Sequence, residues 1–262
     1  MANDTLIRQL YVLLCGYEII PRSISLRGAD PRFLHAVPIT AYLIDTERGW
    51  VLFDTALDPA NIEDPVRRAT CFTDHGWDPP PAVLAAHRLE TQLAAIGVAF
   101  SDIQTVILSH LHADHSGYLK YLSPSRVLIQ QAEFAHAFSA KAGPAWFRDD
   151  YESPGIAWEV IDGDFEVMPG LSLLFTPGHT PGHQSALLVL PDGPPVILAA
   201  DVGDLLQNFR EERLPGEAAD DAAALASLRR LSSLEQSLGA RMLLTHDPEQ
   251  IRTIRLAPLP YV

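Results

Sequence analysis

Ser109-His110-Leu111-His112-Ala113-Asp114-His115-Ser116-Gly117 places three imidazoles and a carboxylate within six residues, directly behind the short apolar run 105–109. The β-branched and aliphatic side chains of that run predict a strand. Alternate positions along an extended turn share a side. His110, His112 and Asp114 are therefore expected to face one way and His115 another, so that one loop feeds two metal positions. Neutral imidazole together with carboxylate is the donor set of zinc and similar first-row ions. A lone histidine reads first as a solvated or hydrogen-bonded side chain. Four such groups packed together without an ion would leave several buried polar atoms unpaired.

Three further donors stand at the same kind of position, just past an apolar run. His179 follows residues 171–176 through Thr176-Pro177-Gly178, Asp201 follows 196–200, and His246 follows 242–245. Side chains past the carboxyl ends of strands on one sheet edge can converge. Asp201 or His246 taken singly reads equally well as a cap or turn residue; the repeated placement predicts a common site. Asp54, in Phe53-Asp54-Thr55-Ala56, also follows a strand. It reads either as orienting a metal-bound histidine or its loop, or as a turn-forming aspartate. His183, four residues after His179, is expected to brace that loop. His35, His75, His87 and His136 have no ligand-like context and read as structural or solvated.

The remaining chain limits the alternatives. Lys and Arg number 19 against 33 Asp and Glu, a formal charge of −14. That balance repels phosphate backbones, which argues against a nucleic-acid partner. No apolar run reaches the ~18 residues of a membrane span. Residues 1–14 read as an alternating strand (Ile7, Leu10, Val12, Leu14) with no basic or small-residue pattern of a signal peptide. Cys15 and Cys71 stand in no metal or redox spacing and fit a reducing cytoplasm.

Strands are expected at 39–45 and 50–54, joined by a turn at 46–49, and at 126–130, 171–176, 184–190, 195–200 and 241–245. Helices are expected at 86–96, 132–141 and 219–238. Residues 58–81, with Asp64-Pro65 and three successive prolines (Pro79, Pro80, Pro81), read as a long irregular loop, and 144–154 as a second, aromatic one. There is no repeat or linker, so residues 1–262 read as a single domain of sheets covered by helices.

The run His110-x-His112-x-Asp114-His115, with His179, Asp201 and His246 downstream, resembles the metallo-β-lactamase superfamily over nearly the whole chain. Within it the N-acyl homoserine lactonase branch is the most similar. The stretches that carry this are 38–59 around Phe53-Asp54-Thr55, 109–117, Ile161-Asp162-Gly163-Asp164-Phe165-Glu166-Val167-Met168-Pro169-Gly170, Thr176-Pro177-Gly178-His179-Thr180-Pro181-Gly182-His183-Gln184-Ser185, and Thr245-His246-Asp247. The resemblance implies an α+β, αββα sandwich with its metal site at one edge of the paired sheets. It also implies two divalent ions per chain, zinc first, with manganese, iron or cobalt as alternatives. His110, His112 and His179 would hold one, Asp114, His115 and His246 the other, and Asp201 would bridge them. The flavin-linked di-iron branch has a glutamate where this chain has His112, which disfavours redox iron chemistry. Two departures stand out. Asp204 occupies the place of a tyrosine that commonly helps stabilise the oxyanion, and an ionised carboxylate cannot donate a hydrogen bond. Ala113 replaces a residue that is often bulky, opening space beside the metals.

The chemistry so implied is the opening of a small-molecule lactone, the ring of an N-acyl homoserine lactone, by a hydroxide held between two metals. Asp114 would ligate and also accept or pass the proton. Phe72, Trp77, Trp146 and Phe147 are candidate walls for an acyl chain, or simple packing. Other lactones (a γ-butyrolactone, a pyridoxine-derived ring), a glyoxalase-type thioester and a phosphotriester would use the same residues. A metal-binding or regulatory protein of this fold that has lost catalysis is the reading from another class. A homodimer is compatible with the sequence.

Overall fold

Ile7–Pro21 (β1) and Leu34–Thr46 (β2) pair antiparallel along most of their lengths, and a turn at 47–48 leads into Gly49–Phe53 (β3). The computed structural model describes residues 5–216 and 218–262. The part of the expected N-terminal strand at 1–4 lies outside the described residues. β1 is longer than the alternation suggested and does not alternate: Leu10, Tyr11, Val12 and Leu13 are all buried. Both its faces are covered, so hydrophobic side chains are needed on each.

Three more strands extend this sheet in parallel: Ile103–Ile107 (β4), Arg126–Gln130 (β5) and Ala157–Ile161 (β6). The second sheet runs in the order β11-β10-β9-β8-β7. Its strands are Phe165–Met168 (β7), Leu171–Phe175 (β8), Gln184–Leu188 (β9), Val196–Leu198 (β10) and Arg241–Leu243 (β11). The two sheets meet face to face through Ile44, Val51, Phe53, Ile107 and Leu128 on one side and Leu171, Leu173, Ala186, Leu198 and Leu243 on the other.

Helices cover both outer faces. They are Arg22–Ser25 (α1), Ala60–Glu63 (α2), Pro65–Cys71 (α3), Leu89–Ala94 (α4), Ala113–Ser116 (α5), Gln131–Ala137 (α6), Arg148–Tyr151 (α7), Leu206–Glu211 (α8) and Asp221–Leu238 (α9). Leu89 and Leu93 of α4 pack on the outer side of the first sheet with Leu52, Val106 and Val127. Leu228 and Leu231 of α9 pack with Ile197 and Met242 on the outer side of the second. The result is a four-layer αββα arrangement, as the resemblance implied. No helix among the described residues is long and apolar enough to cross a membrane.

The stretch 58–81 is not the irregular loop expected. It carries α2 and α3, the latter started by Asp64, whose carboxylate accepts from the Val66 and Arg67 amides, with Pro65 at the first helical position. This is ordinary N-capping chemistry. The loop at 144–154 likewise contains α7. Strands β6 and β7 were not expected at all.

Candidate metal centre

The His-rich run leaves β4 and stays extended only as far as His112. The His115 and Ser116 amides both bond back to the His112 carbonyl at 3.0 Å, closing α5. That turn overturns the expected alternation, because Asp114 and His115 are now on a helix and turn toward His246, with the His115 ring still packed 4.1 Å from that of His110. The donors divide accordingly. His110 and His112 meet His179, whereas Asp114 and His115 meet His246, all with candidate ligand atoms within 4.8 Å of one another.

Asp201 lies between the two groups. Its Oδ2 is 3.3 Å from His179 Nε2 and 3.8 Å from His110 Nε2. Its Oδ1 is 3.3 Å from His115 Nε2 and 3.4 Å from His246 Nε2. Asp114 Oδ2 lies 3.1 Å from His115 Nε2 and 3.5 Å from His246 Nε2. His179 Nε2 is 3.2 Å from His112 Nδ1. Donors sharing one tetrahedral ion at bond lengths near 2.0–2.2 Å stand roughly 3.3–3.6 Å apart, so these spacings suit a metal.

The far side of each ring sets which nitrogen is free. His115 Nδ1 is 2.8 Å from Asp54 Oδ2, and His246 Nδ1 is 2.8 Å from the Pro38 carbonyl. Carboxylates and carbonyls only accept, so each Nδ1 carries a proton and each Nε2 presents its lone pair to the centre. Ser109 Oγ donates to Asp54 Oδ2 at 2.8 Å and accepts from His110 Nδ1 at 3.0 Å, giving His110 the same tautomer. His110 Nε2, His115 Nε2 and Asp201 Oδ1 are buried without a hydrogen-bond partner. Buried polar atoms are nearly always paired, and three orphaned acceptors aimed at one space are what a bound cation would satisfy.

The field at the site favours positive charge. Burial, with the neighbouring His115, holds His110 well below the usual imidazole range, and burial with His179 does the same for His112. Burial also opposes charge on His115 and His246, yet carboxylates outweigh it. Asp114, Asp201 and Asp54 hold His115 well above the usual range, and Asp201 raises His246 to about 10. A cation at the Nε2 atoms meets the same demand.

Around the donors, the loops are fastened. Asp54, in a left-handed backbone conformation (φ 59°), accepts from the Ser109 amide as well as its hydroxyl. His183 accepts from the Asp201 amide through Nε2 at 3.0 Å and donates through Nδ1 to the Thr176 carbonyl at 3.1 Å. It therefore holds Asp201 in place, with both nitrogens spent. Gly178 (φ +136°) lets the His179 loop touch α9, since a Cβ there would lie 2.2 Å from the Ala224 nitrogen.

Phe72, only 1% exposed, sits in the core edge-on to Trp77 and Phe147, and so backs a wall and does not face a ligand. Trp146 is the aromatic that reaches the centre, its ring 4.2 Å from that of His112. Ala113 is buried, its amide on the Ala145 carbonyl. Asp204 is buried near Asp201 and His246, and burial raises its carboxyl.

Two acids went unnoticed in the sequence. Glu133, fully buried on α6, accepts from the Leu111 and Gly182 amides, the Thr180 hydroxyl and the Trp146 indole. It clamps the His110 loop to the His179 loop. Its place just past β5 repeats the signal that flagged the other donors. Glu18, inside β1, is surrounded by apolar residues in the sequence and gives no such signal.

Residues 36–246 match the family described as the metallo-beta-lactamase superfamily. An N-acyl homoserine lactonase of Bacillus cereus is 30% identical over 256 residues, covering 96% of this chain and 98% of that one. The N-acyl homoserine lactonase AttM of Rhizobium johnstonii is 31% identical, with 89% of each chain covered. Among solved structures, an N-acyl homoserine lactone hydrolase with the product N-hexanoyl-L-homoserine at its catalytic metal center superposes with a TM-score of 0.85. It is 26% identical, with 98% of this chain and 100% of that chain covered.

Proposed function

Because the chain belongs to the metallo-beta-lactamase superfamily, we propose that it is a metal-dependent lactonase, opening N-acyl homoserine lactones to the corresponding hydroxy acids. The observation that carries this reading is Asp201, whose two oxygens face two separate donor groups. Near-full-length likeness to lactonases supports the substrate class. We read the chain as one domain, and the two free thiols as fitting a cytoplasmic setting.

In this reading His110, His112 and His179 hold one divalent ion, Asp114, His115 and His246 a second, and Asp201 serves both. Zinc suits the donor set, with manganese, iron or cobalt as substitutes. When bound, such ions polarise a carbonyl and make hydroxide available near neutral pH. The chain's own groups do the rest. Asp54, Ser109 and Pro38 keep a proton on the outer nitrogen of His115, His110 and His246, so that the inner lone pairs stay available. His183 fixes the Asp201 backbone. Asp114 accepts the proton released as the lactone carbonyl is attacked and returns it to the departing alkoxide. Trp146, beside His112, walls the acyl chain, with Phe147, Phe72 and Trp77 behind it.

The test is a proton-release assay on zinc- or cobalt-loaded protein, using N-acyl homoserine lactones of short and long chain. The expected result is metal-dependent turnover with a mass gain of one water; fully loaded protein without turnover would sink the assignment. Chelation should also lower the melting temperature by roughly 10 °C. An ion at ~1000 times its Kd contributes about 4 kcal/mol, and each kcal/mol is worth ~2–4 °C at this size. A shift under about 2 °C in calorimetry would contradict a structural role for the ions.

A further inference from the structure

β1 shifts register between Leu14 and Gly16, then pairs with the start of β2, Glu18 opposite Val37 and Ile20 opposite His35. Directly opposed residues share a sheet face, so Glu18, Ile20, Val37 and His35 form one patch. The next residue of β2, Pro38, receives the His246 ring proton, so this patch borders the centre. Burial pushes the Glu18 carboxyl up to about 8, and the groups whose charges also act on it are Asp114, His246, Asp201 and His115. Glu18 is 8% exposed, and its carboxyl makes no hydrogen bond among the described residues. Asp204, 7% exposed, stands near the same His246 and Asp201. Neither acid supports a ring nitrogen, a task that falls to Asp54, Ser109 and Pro38. Neither Glu18 oxygen is among the buried atoms left without a partner, so the carboxyl keeps contact with solvent, and a substrate that covered it without offering a donor would meet a desolvation cost.

We infer that Glu18 is a specificity-determining residue that accepts a hydrogen bond from an N–H on the carbon next to the attacked carbonyl, selecting amide-bearing lactones over lactones that lack this donor. The inference rests on the lactonase reading. In an N-acyl homoserine lactone the amide N–H occupies that position, so its acceptor must flank the centre, as Glu18 does.

The experiment compares a hexanoyl homoserine lactone with its isosteric analogue in which oxygen replaces the amide N–H. Ring-opened product is followed by mass on zinc-loaded protein, wild type, Glu18→Leu and Glu18→Gln. Removing a buried polar partner is worth ~1–3 kcal/mol, or about 5–150-fold. Wild type is therefore expected to favour the amide by at least ~5-fold in kcat/KM. That ratio should collapse to within about 3-fold in Glu18→Leu and persist in Glu18→Gln, whose carbonyl still accepts. A ratio unchanged in Glu18→Leu overturns the inference and leaves the lactonase standing. If Glu18→Leu does not fold, as judged by melting and metal content, the wild-type ratio decides, and a value near one overturns the inference. Wild type opening neither lactone removes both readings together.

Discussion

Asp201→Ala is expected to lower kcat/KM for lactone opening by at least ~1000-fold, a transition-state loss of about 4 kcal/mol, and to reduce bound metal from about two ions per chain to one or fewer. Its carboxylate is the sole group among the described donors with one oxygen toward His110 and His179 and the other toward His115 and His246. Without it, the rings of His110, His112, His115, His179 and His246 face one another with Asp114 alone to balance an ion. Alanine keeps the backbone amide that donates to His183 Nε2, so the loop itself should survive. Elemental analysis alongside kinetics gives the answer. A variant that retained two ions and activity within ten-fold of wild type would contradict the shared role of Asp201.

Glu133→Ala is expected to lower the unfolding free energy by about 4 kcal/mol. The carboxylate is fully buried and serves four donors, the Leu111 amide at 3.0 Å, the Gly182 amide at 3.3 Å, the Trp146 indole at 3.2 Å and the Thr180 hydroxyl at 2.5 Å. A stranded buried donor costs ~1–3 kcal/mol, and water entering the space relieves part of the sum. The two loops it joins carry His110, His112 and His179, so metal affinity should fall by ~10–100-fold as well. The packing leaves no room for rescue by bulk: a Cβ on Gly182 would come 2.0 Å from the Glu133 nitrogen. Urea unfolding of the metal-loaded variant tests this, and a loss under about 1.5 kcal/mol would show the clamp to be dispensable.

How much of this was legible in the sequence follows from what each feature depends on. The donors could be read because each sits just past an apolar run, a local signal that places it at a sheet edge. The division of Asp114 from His112 could not be read from the residues, because it hangs on one helical turn of four residues, too short for periodicity to declare. The Asp64-Pro65 pair carried a legible cap for α3, but Pro79, Pro80 and Pro81 drew the whole stretch into a loop reading. β6 was missed for another reason. It is half-exposed at the sheet edge, with Glu159 paired to Arg126, so it lacks the apolar run that marks a central strand. Glu18 owes its place to the register shift in β1 and to pairing with a strand some twenty residues on, neither of which composition reveals. The aromatic wall was half legible: Trp146 reaches His112, whereas Phe72 is absorbed by the core.

The donors are divided between the two sheets. The loop after β4 brings His110, His112, Asp114 and His115, while those after β8, β10 and β11 bring His179, Asp201 and His246. Neither half offers a complete set, and the Pro38 carbonyl that orients His246 belongs to the opposite sheet. A chain whose layers have not yet docked, or have docked out of register, therefore has only an incomplete donor set for either ion. Tight metal capture then depends on the docking of the layers, and a bound ion would rivet them together.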